Sequence, residues 1–160
     1  MSILAIDPGY ERSAWVLFDV APITHGLDRN SDLLGEIRMM RTAPAAFGAI
    51  VGTVVIEQIE SFGMAVGREV FETVFWSGRF VQAAYPTPFV QLPRRAVKLH
   101  LCQDSRAKDP NIRAALIDRF GGSAAIGRKA NPGPLYGISG DVWSALAVAV
   151  TFADTPGAWT

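Results

Sequence analysis

The chain has 160 residues, of which 49% are hydrophobic, and its 15 basic and 15 acidic side chains give a formal net charge of zero. This length can bury one core but is short for two, so we predict a single domain over residues 1–160. One cysteine and two histidines exclude a disulfide framework and a cysteine-rich zinc site. No apolar run is long enough to span a bilayer and no signal region is found, so we expect no membrane association and a cytoplasmic location.

The chain opens with a predicted β-hairpin. Residues 3–6 form an apolar run that ends at an Asp-Pro-Gly turn (7–9), and residues 14–18 form a second run after a few polar residues. Residues 23–27 suit a third strand. Ser31 is a fair N-cap for a short helix over residues 32–41.

The middle of the chain is expected to alternate strands with helices. The β-branched run 54–56 predicts a buried fourth strand with Glu57 at its C-terminal end. Residues 69–85 have helical spacing, and Trp76 and Phe80 within them are read as core or as a dimer face. Residues 89–92 suit a fifth strand, after which Pro93 is expected at the first position of a helix that runs to Cys102.

The last third of the chain predicts two more helices separated by a loop. Asp109 caps a helix with Pro110 at its first position, and two glycines stop this helix at 121–122. Residues 121–140, rich in Gly, Pro and Ala, are expected to form a mobile loop. Residues 141–152 form the final helix. The order of these elements predicts an α/β fold, with a mixed sheet covered by helices.

Three carboxylates lie at element ends next to the predicted core. Asp7 ends the first strand, Glu57 ends the fourth, and Asp141 begins the last helix. A buried acid is costly unless it is paired, and no basic residue lies beside either strand end in sequence. A bound cation would resolve this, and oxygen ligands on separate elements suit Mg²⁺, with Mn²⁺ as a substitute. Two such ions can hydrolyse a phosphodiester.

Each carboxylate also has an ordinary structural interpretation. Asp7 can be a turn residue, Glu57 an exposed strand end, and Asp141 a charge that suits a helix N-terminus. Their joint occurrence at these element ends favours the metal site.

Positive charge is concentrated in one segment. Residues 94–129 contain nine basic and three acidic side chains, a surplus of six, and the rest of the chain is correspondingly acidic. Such a run can be a solvated face. It is also the pattern of a surface that contacts nucleic-acid phosphates.

Four motifs in the same order resemble the RuvC-type Holliday junction resolvases of the RNase H-like superfamily, in particular their divergent phage and prophage members. They are the strand that ends in Asp-Pro-Gly (3–9), the strand that ends in Glu-Gln (54–58), the Val-Lys and Ala-Lys steps (97–98 and 107–108), and the Ala-rich last helix with its acidic start (141–147). Together they extend in order over nearly the whole length of the chain.

The resemblance implies an RNase H-like fold with a five-stranded mixed sheet. It implies that Asp7, Glu57 and Asp141 bind the catalytic magnesium ions, and that Lys98 and Lys108 lie near the scissile phosphate or along the DNA backbone. Ser144 stands where the family has a second Asp, and we expect it to hold a water. Residue Phe62 resembles the family's aromatic that stacks on an unpaired base.

Three functional hypotheses follow. The first is a homodimeric, magnesium-dependent endonuclease for branched DNA, in which the basic segment, including Arg94, Arg95 and Arg106, contacts phosphates. The second is a junction-binding protein that has lost catalysis, which the serine at 144 favours. The third is an actin-like nucleotide-binding protein, for whose two phosphate-binding halves the chain is too short.

Overall fold

The computed structural model describes residues 1–159 and has an α/β architecture built on a five-stranded mixed sheet in the order β3-β2-β1-β4-β5. The strands are β1 Ser2–Asp7, β2 Arg12–Phe18, β3 Pro22–Arg29, β4 Val51–Gln58 and β5 Phe89–Pro93. The first three strands pair antiparallel, whereas β4 is parallel to β1 and β5 is parallel to β4. The fold class predicted from the sequence is therefore confirmed.

Helices cover both faces of this sheet. They are α1 Asn30–Met39, α2 Arg68–Ala84, α3 Arg94–Cys102, α4 Asp109–Arg119, α5 Ser123–Ile126 and α6 Val142–Asp154. Helices α1 and α2 pack on one face, and α3, α4 and α6 pack on the other. None of the helices in residues 1–159 is long and apolar enough to cross a membrane.

The period-two alternation of the strands explains the two cores. In β1, Ile3 and Ala5 belong to the cluster around α6, while Leu4 and Ile6 belong to the cluster around α1 and α2. The central strands are consequently buried on both faces, which is why they consist of continuous apolar runs. The same alternation decides which way the acids at the strand ends point.

Three predicted helix starts differ from the structure. Helix α1 begins at Asn30 rather than at residue 32, and Ser31 lies inside it and is not its cap. Pro93 pairs with Gln58 as the last residue of β5, so it precedes α3 as the N-cap instead of opening the helix. Lys108 is the N-cap of α4, where its backbone N–H donates to Asn111 Oδ1 at 2.9 Å.

The segment predicted as a mobile loop has regular structure. It contains α5 and a two-residue hairpin of β6 Gly127–Arg128 and β7 Asn131–Pro132. Leu135 within it is fully buried in the α6 cluster and Ala125 is 3% exposed, so the segment is anchored to the core. The prediction of a mobile loop, which relied on glycine and proline content, is wrong because burial of these two apolar side chains holds the segment against the core.

Candidate metal centre

Sheet register brings two of the predicted acids side by side. Strands β1 and β4 are parallel neighbours in which Ile6 lies opposite Ile56, so the next residues, Asp7 and Glu57, meet at the same sheet edge. Ala5 and Val55 both face α6. Asp7 follows Ala5 by two residues in β1, and Glu57 follows Val55 by two residues in β4. Strand alternation therefore directs both carboxylates toward α6.

Helix α6 supplies the third acid and a hydroxyl. Asp141 is its N-cap and Ser144 lies in its first turn, where its hydroxyl is near enough to the Asp7 carboxylate to lower the pKa of that acid. Nine of the thirteen residues of α6 are buried, which fixes the helix against β1 and β2. Glu57, Asp141 and Ser144 thus all lie near enough to Asp7 to shift its pKa.

A buried polar network holds the turn that follows Asp7. The Ser13 hydroxyl donates to Asn30 Oδ1 at 2.6 Å, Asn30 Nδ2 donates to the Gly9 carbonyl at 2.8 Å, and the Gly9 N–H donates to Ser13 Oγ at 3.2 Å. A side chain at residue 9 is excluded, because its Cβ would lie 2.2 Å from the Arg12 carbonyl oxygen. The sequence analysis missed this network, whose members lie on three separate elements.

Replacing Asn30 by Ala is expected to lower the free energy of unfolding by about 1–3 kcal/mol, because it leaves the buried Ser13 hydroxyl and Gly9 carbonyl without their partner. Urea unfolding at pH 7 measures this loss. Ser31→Ala is the matched control and should change stability by less than about 0.5 kcal/mol, since Ser31 is exposed and makes no capping bond. An equal loss in both variants would contradict the role of the network.

The site has an excess of negative charge. The pKa of Asp7 is raised to about 8, first by burial and then by the neighbouring charges of Glu57 and Asp141. Arg94 and the Ser144 hydroxyl act in the opposite direction. Cations at this position would therefore be stabilised by the carboxylates.

Glu57 has a basic partner that the sequence did not reveal. Its side chain is 7% exposed, and Arg94 Nη1 donates to its two oxygens at 2.9 and 3.2 Å, while Arg94 Nη2 donates to Asp109. Burial raises the pKa of Glu57, and Arg94 lowers it. The expectation of an acid without a basic neighbour is thus wrong for Glu57, because β5 pairs with β4 and delivers Arg94 directly after its last residue.

The donor set fits a hard divalent cation in its chemistry. Carboxylate and hydroxyl oxygens are the ligands that Mg²⁺ prefers, and burial together with the nearby charges of Glu57 and Asp141 raises the pKa of Asp7, which a bound cation would lower. Within residues 1–159, however, no three His, Cys, Asp or Glu side chains are gathered closely enough to hold a metal ion. Glu57 is instead engaged by Arg94.

The predicted DNA-contacting residues lie mainly on one side of this centre. Arg95 and Lys98 are on α3, and Lys98 is close enough to Glu57 to lower its pKa. Lys108 precedes α4, and Arg106 lies in the turn before it, where its backbone N–H donates to Asp104 Oδ1 at 2.8 Å.

The predicted aromatic residues fall into different environments. Phe62 is 71% exposed and has a φ of 51° in the turn after β4, so it is not a core residue. Phe80 is fully buried between α2 and the sheet. Trp76 is partly buried against the same cluster, with the Arg79 guanidinium 4.3 Å from its ring centroid.

Solved structures of known proteins share this architecture. A Thermus thermophilus RuvC structure superimposes with a TM-score of 0.66 at 16% identity, covering 96% of this chain and 93% of that chain. T. thermophilus RuvC in complex with a Holliday junction substrate gives a TM-score of 0.67 at 18% identity, with the same coverage. No protein-family model and no curated protein matches the chain. The chain therefore has a RuvC-like, RNase H-like fold.

Proposed function

We propose that this protein is a structure-selective, magnesium-dependent endonuclease that cleaves branched DNA in the manner of a Holliday junction resolvase. The observation that carries the proposal is the pair of acids, Asp7 and Glu57, at adjacent strand ends beneath the N-terminus of α6. The structural similarity to RuvC in complex with a Holliday junction supports the choice of substrate. Such a protein would act in the cytoplasm of a bacterial or phage-infected cell.

Asp7, Glu57 and Asp141 would hold two Mg²⁺ ions, for which Mn²⁺ would substitute. Two bound ions supply an activated water and neutralise the leaving oxygen of a phosphodiester. The burial of Asp7 and Glu57 restricts the motion of their carboxylates before substrate arrives. Ser144, whose hydroxyl lies near the Asp7 carboxylate, would hold a water where the resembled family has a fourth carboxylate.

The basic side chains of α3 and of the turn before α4 would contact DNA phosphates without reading sequence. These side chains are Arg94, Arg95, Lys98, Arg106 and Lys108. Phe62 would stack on an unpaired base at the branch point, since its ring is exposed beside the strand that carries Glu57.

The double variant Lys98→Ala/Lys108→Ala is expected to weaken junction binding and to reduce the slope of log K against log salt by about 1.8, the contribution of two phosphate contacts. Fluorescence anisotropy in Ca²⁺ at several salt concentrations measures the slope. Arg38→Ala/Arg41→Ala removes the same charge from exposed positions in and just after α1, on the other face of the sheet, and should leave the slope unchanged. Equal slopes in wild type and the Lys98/Lys108 variant would exclude this DNA face.

The proposed activity is tested with a labelled four-way junction and a linear duplex of the same sequence, each in Mg²⁺ or in EDTA. We expect metal-dependent cutting of the junction and little cutting of the duplex. Cutting that persists in EDTA, or that does not distinguish the two DNAs, would contradict the proposal.

A second candidate function is junction binding without cleavage. Ser144 in place of a carboxylate favours it, as does the lack of a closely gathered acidic triad in residues 1–159. In the same assay it predicts tight junction binding and no product with any divalent metal.

We also propose that the protein acts as a homodimer, because a four-way junction presents two equivalent strands to a two-fold symmetric protein. Phe71, Val74 and Phe75 of α2 are 66%, 51% and 63% exposed, which is an unusually apolar helix face for a monomer. Sedimentation analysis should give the mass of two chains.

A further inference from the structure

Arg94 lies where a cation at Glu57 would have to lie. Glu57 is buried, and both of its carboxylate oxygens accept hydrogen bonds from Arg94 Nη1 at 2.9 and 3.2 Å. The same two oxygens are the ones that Glu57 can offer to a metal ion. A divalent ion and the guanidinium would compete for the same two oxygens, and the two cations would repel each other strongly at that separation.

Arg94 has a second partner toward solvent. Its Nη2 donates to Asp109, whose side chain is 76% exposed at the start of α4, whereas the Glu57 side chain is 7% exposed. The Arg94 side chain is 32% exposed. It therefore bridges the buried acid and the surface that carries Lys98 and Lys108, and it keeps a carboxylate partner if it leaves Glu57.

We propose that Arg94 is an internal counter-ion that occupies the cation position at Glu57 in the metal-free protein and moves outward to Asp109 and the DNA backbone when a divalent metal binds. This rests on the proposed function, because it assumes that Glu57 is a metal ligand. Since DNA phosphate and Asp109 both draw Arg94 outward, metal binding and DNA binding strengthen each other.

The displacement can be observed directly in the unaltered protein by NMR of the arginine side chains during a Mg²⁺ titration. Arg119 provides an internal control, because its guanidinium donates to Asp154 at 2.7 and 2.6 Å at the far end of α6. We expect the Arg94 guanidinium signals to shift as the metal site fills and the Arg119 signals to stay in place. Arg94 signals that remain unchanged while calorimetry shows saturation would overturn the proposal.

A variant set provides a second test through metal affinity, measured by calorimetry with Mn²⁺ in the absence of DNA. Arg94→Gln keeps a hydrogen-bond donor for the buried Glu57 but removes the competing charge. It should bind Mn²⁺ about tenfold more tightly, the factor that corresponds to an interaction of roughly 1.4 kcal/mol. Arg94→Lys retains the charge and should bind close to wild type.

Arg95→Gln removes the same charge from the next residue of α3. Arg95 makes no ion pair in the described part of the chain, so this variant should leave Mn²⁺ affinity unchanged. Equal tightening in the Arg94 and Arg95 variants would reduce the effect to general electrostatics and overturn the proposal. Unchanged affinity in Arg94→Gln would also overturn it while leaving the metal-dependent nuclease intact. Absence of Mn²⁺ binding in wild type and in all three variants would instead refute the proposed function together with the inference.

Discussion

The Asp7→Asn variant is expected to lose metal-dependent junction cleavage by at least about a thousandfold, which corresponds to roughly 4 kcal/mol of transition-state stabilisation. The amide keeps the size of the side chain but removes the charge that would hold the metal. Junction binding should persist, because Asp7 is not among the basic residues of α3 and of the turn before α4 that are proposed to contact DNA. Initial cleavage rates in Mg²⁺ and anisotropy in Ca²⁺ measure the two effects separately.

The same substitution should stabilise the metal-free protein. The pKa of Asp7 is raised in the folded state from 3.8 to about 8, so its contribution to stability is complete below pH 3.8 and is lost as the pH rises toward 8. Asparagine does not ionise and escapes this loss. At pH 8 in EDTA, we expect the variant to be more stable by at least about 1 kcal/mol, with no such advantage at pH 3.5.

Urea unfolding in EDTA at both pH values measures the difference. Asp19→Asn is the matched control, because Asp19 is an exposed carboxylate whose side chain is 52% accessible near the N-terminus. It should show no gain at pH 8. An Asp7→Asn variant that is less stable than wild type at pH 8 would contradict the electrostatic description of the site.

Metal affinity should depend steeply on pH. Because burial and the charges of Glu57 and Asp141 raise the pKa of Asp7 to about 8, a metal ion at lower pH must displace a proton from this carboxyl. The affinity for Mg²⁺ or Mn²⁺ should rise by about tenfold per pH unit below this pKa and level off above it. Calorimetry in two buffers of different ionisation enthalpy at pH 6.5 should detect the release of close to one proton.

A pH-independent affinity, or binding without proton release, would show that Asp7 is already ionised in the metal-free protein.

The sequence predicted the strands and the acids well because both depend on local patterns. Apolar runs bounded by turns placed the five strands, and Asp7 and Glu57 were expected at their ends, where the structure has them. Asp141 was expected at the start of the last helix and is its N-cap. Strand alternation then suffices to direct the two strand-end acids to the face that α6 covers.

The contacts that the sequence did not predict join residues far apart in the chain. Pairing of Arg94 with Glu57 requires knowing that β5 lies beside β4, which no local pattern indicates. The network of Ser13, Asn30 and Gly9 likewise depends on how α1 meets the first hairpin. The roles of the site residues, the homodimer and the single domain over 160 residues stay predictions.

The far end of α6 has a consequence for the substrate selectivity expected under the proposed function. Asp154 accepts bonds from His100 of α3 at 2.7 Å and from Arg119 of α4 at 2.6 and 2.7 Å, so one carboxylate ties three helices together. Helices α3 and α4 and the helix that Asp141 caps are thereby held at a set spacing. If the protein binds DNA as proposed, a linear duplex, which is stiff over lengths of about 150 base pairs, would adapt poorly to such a fixed surface. A branch point, whose arms can change direction, would adapt to it at a lower cost in bending energy.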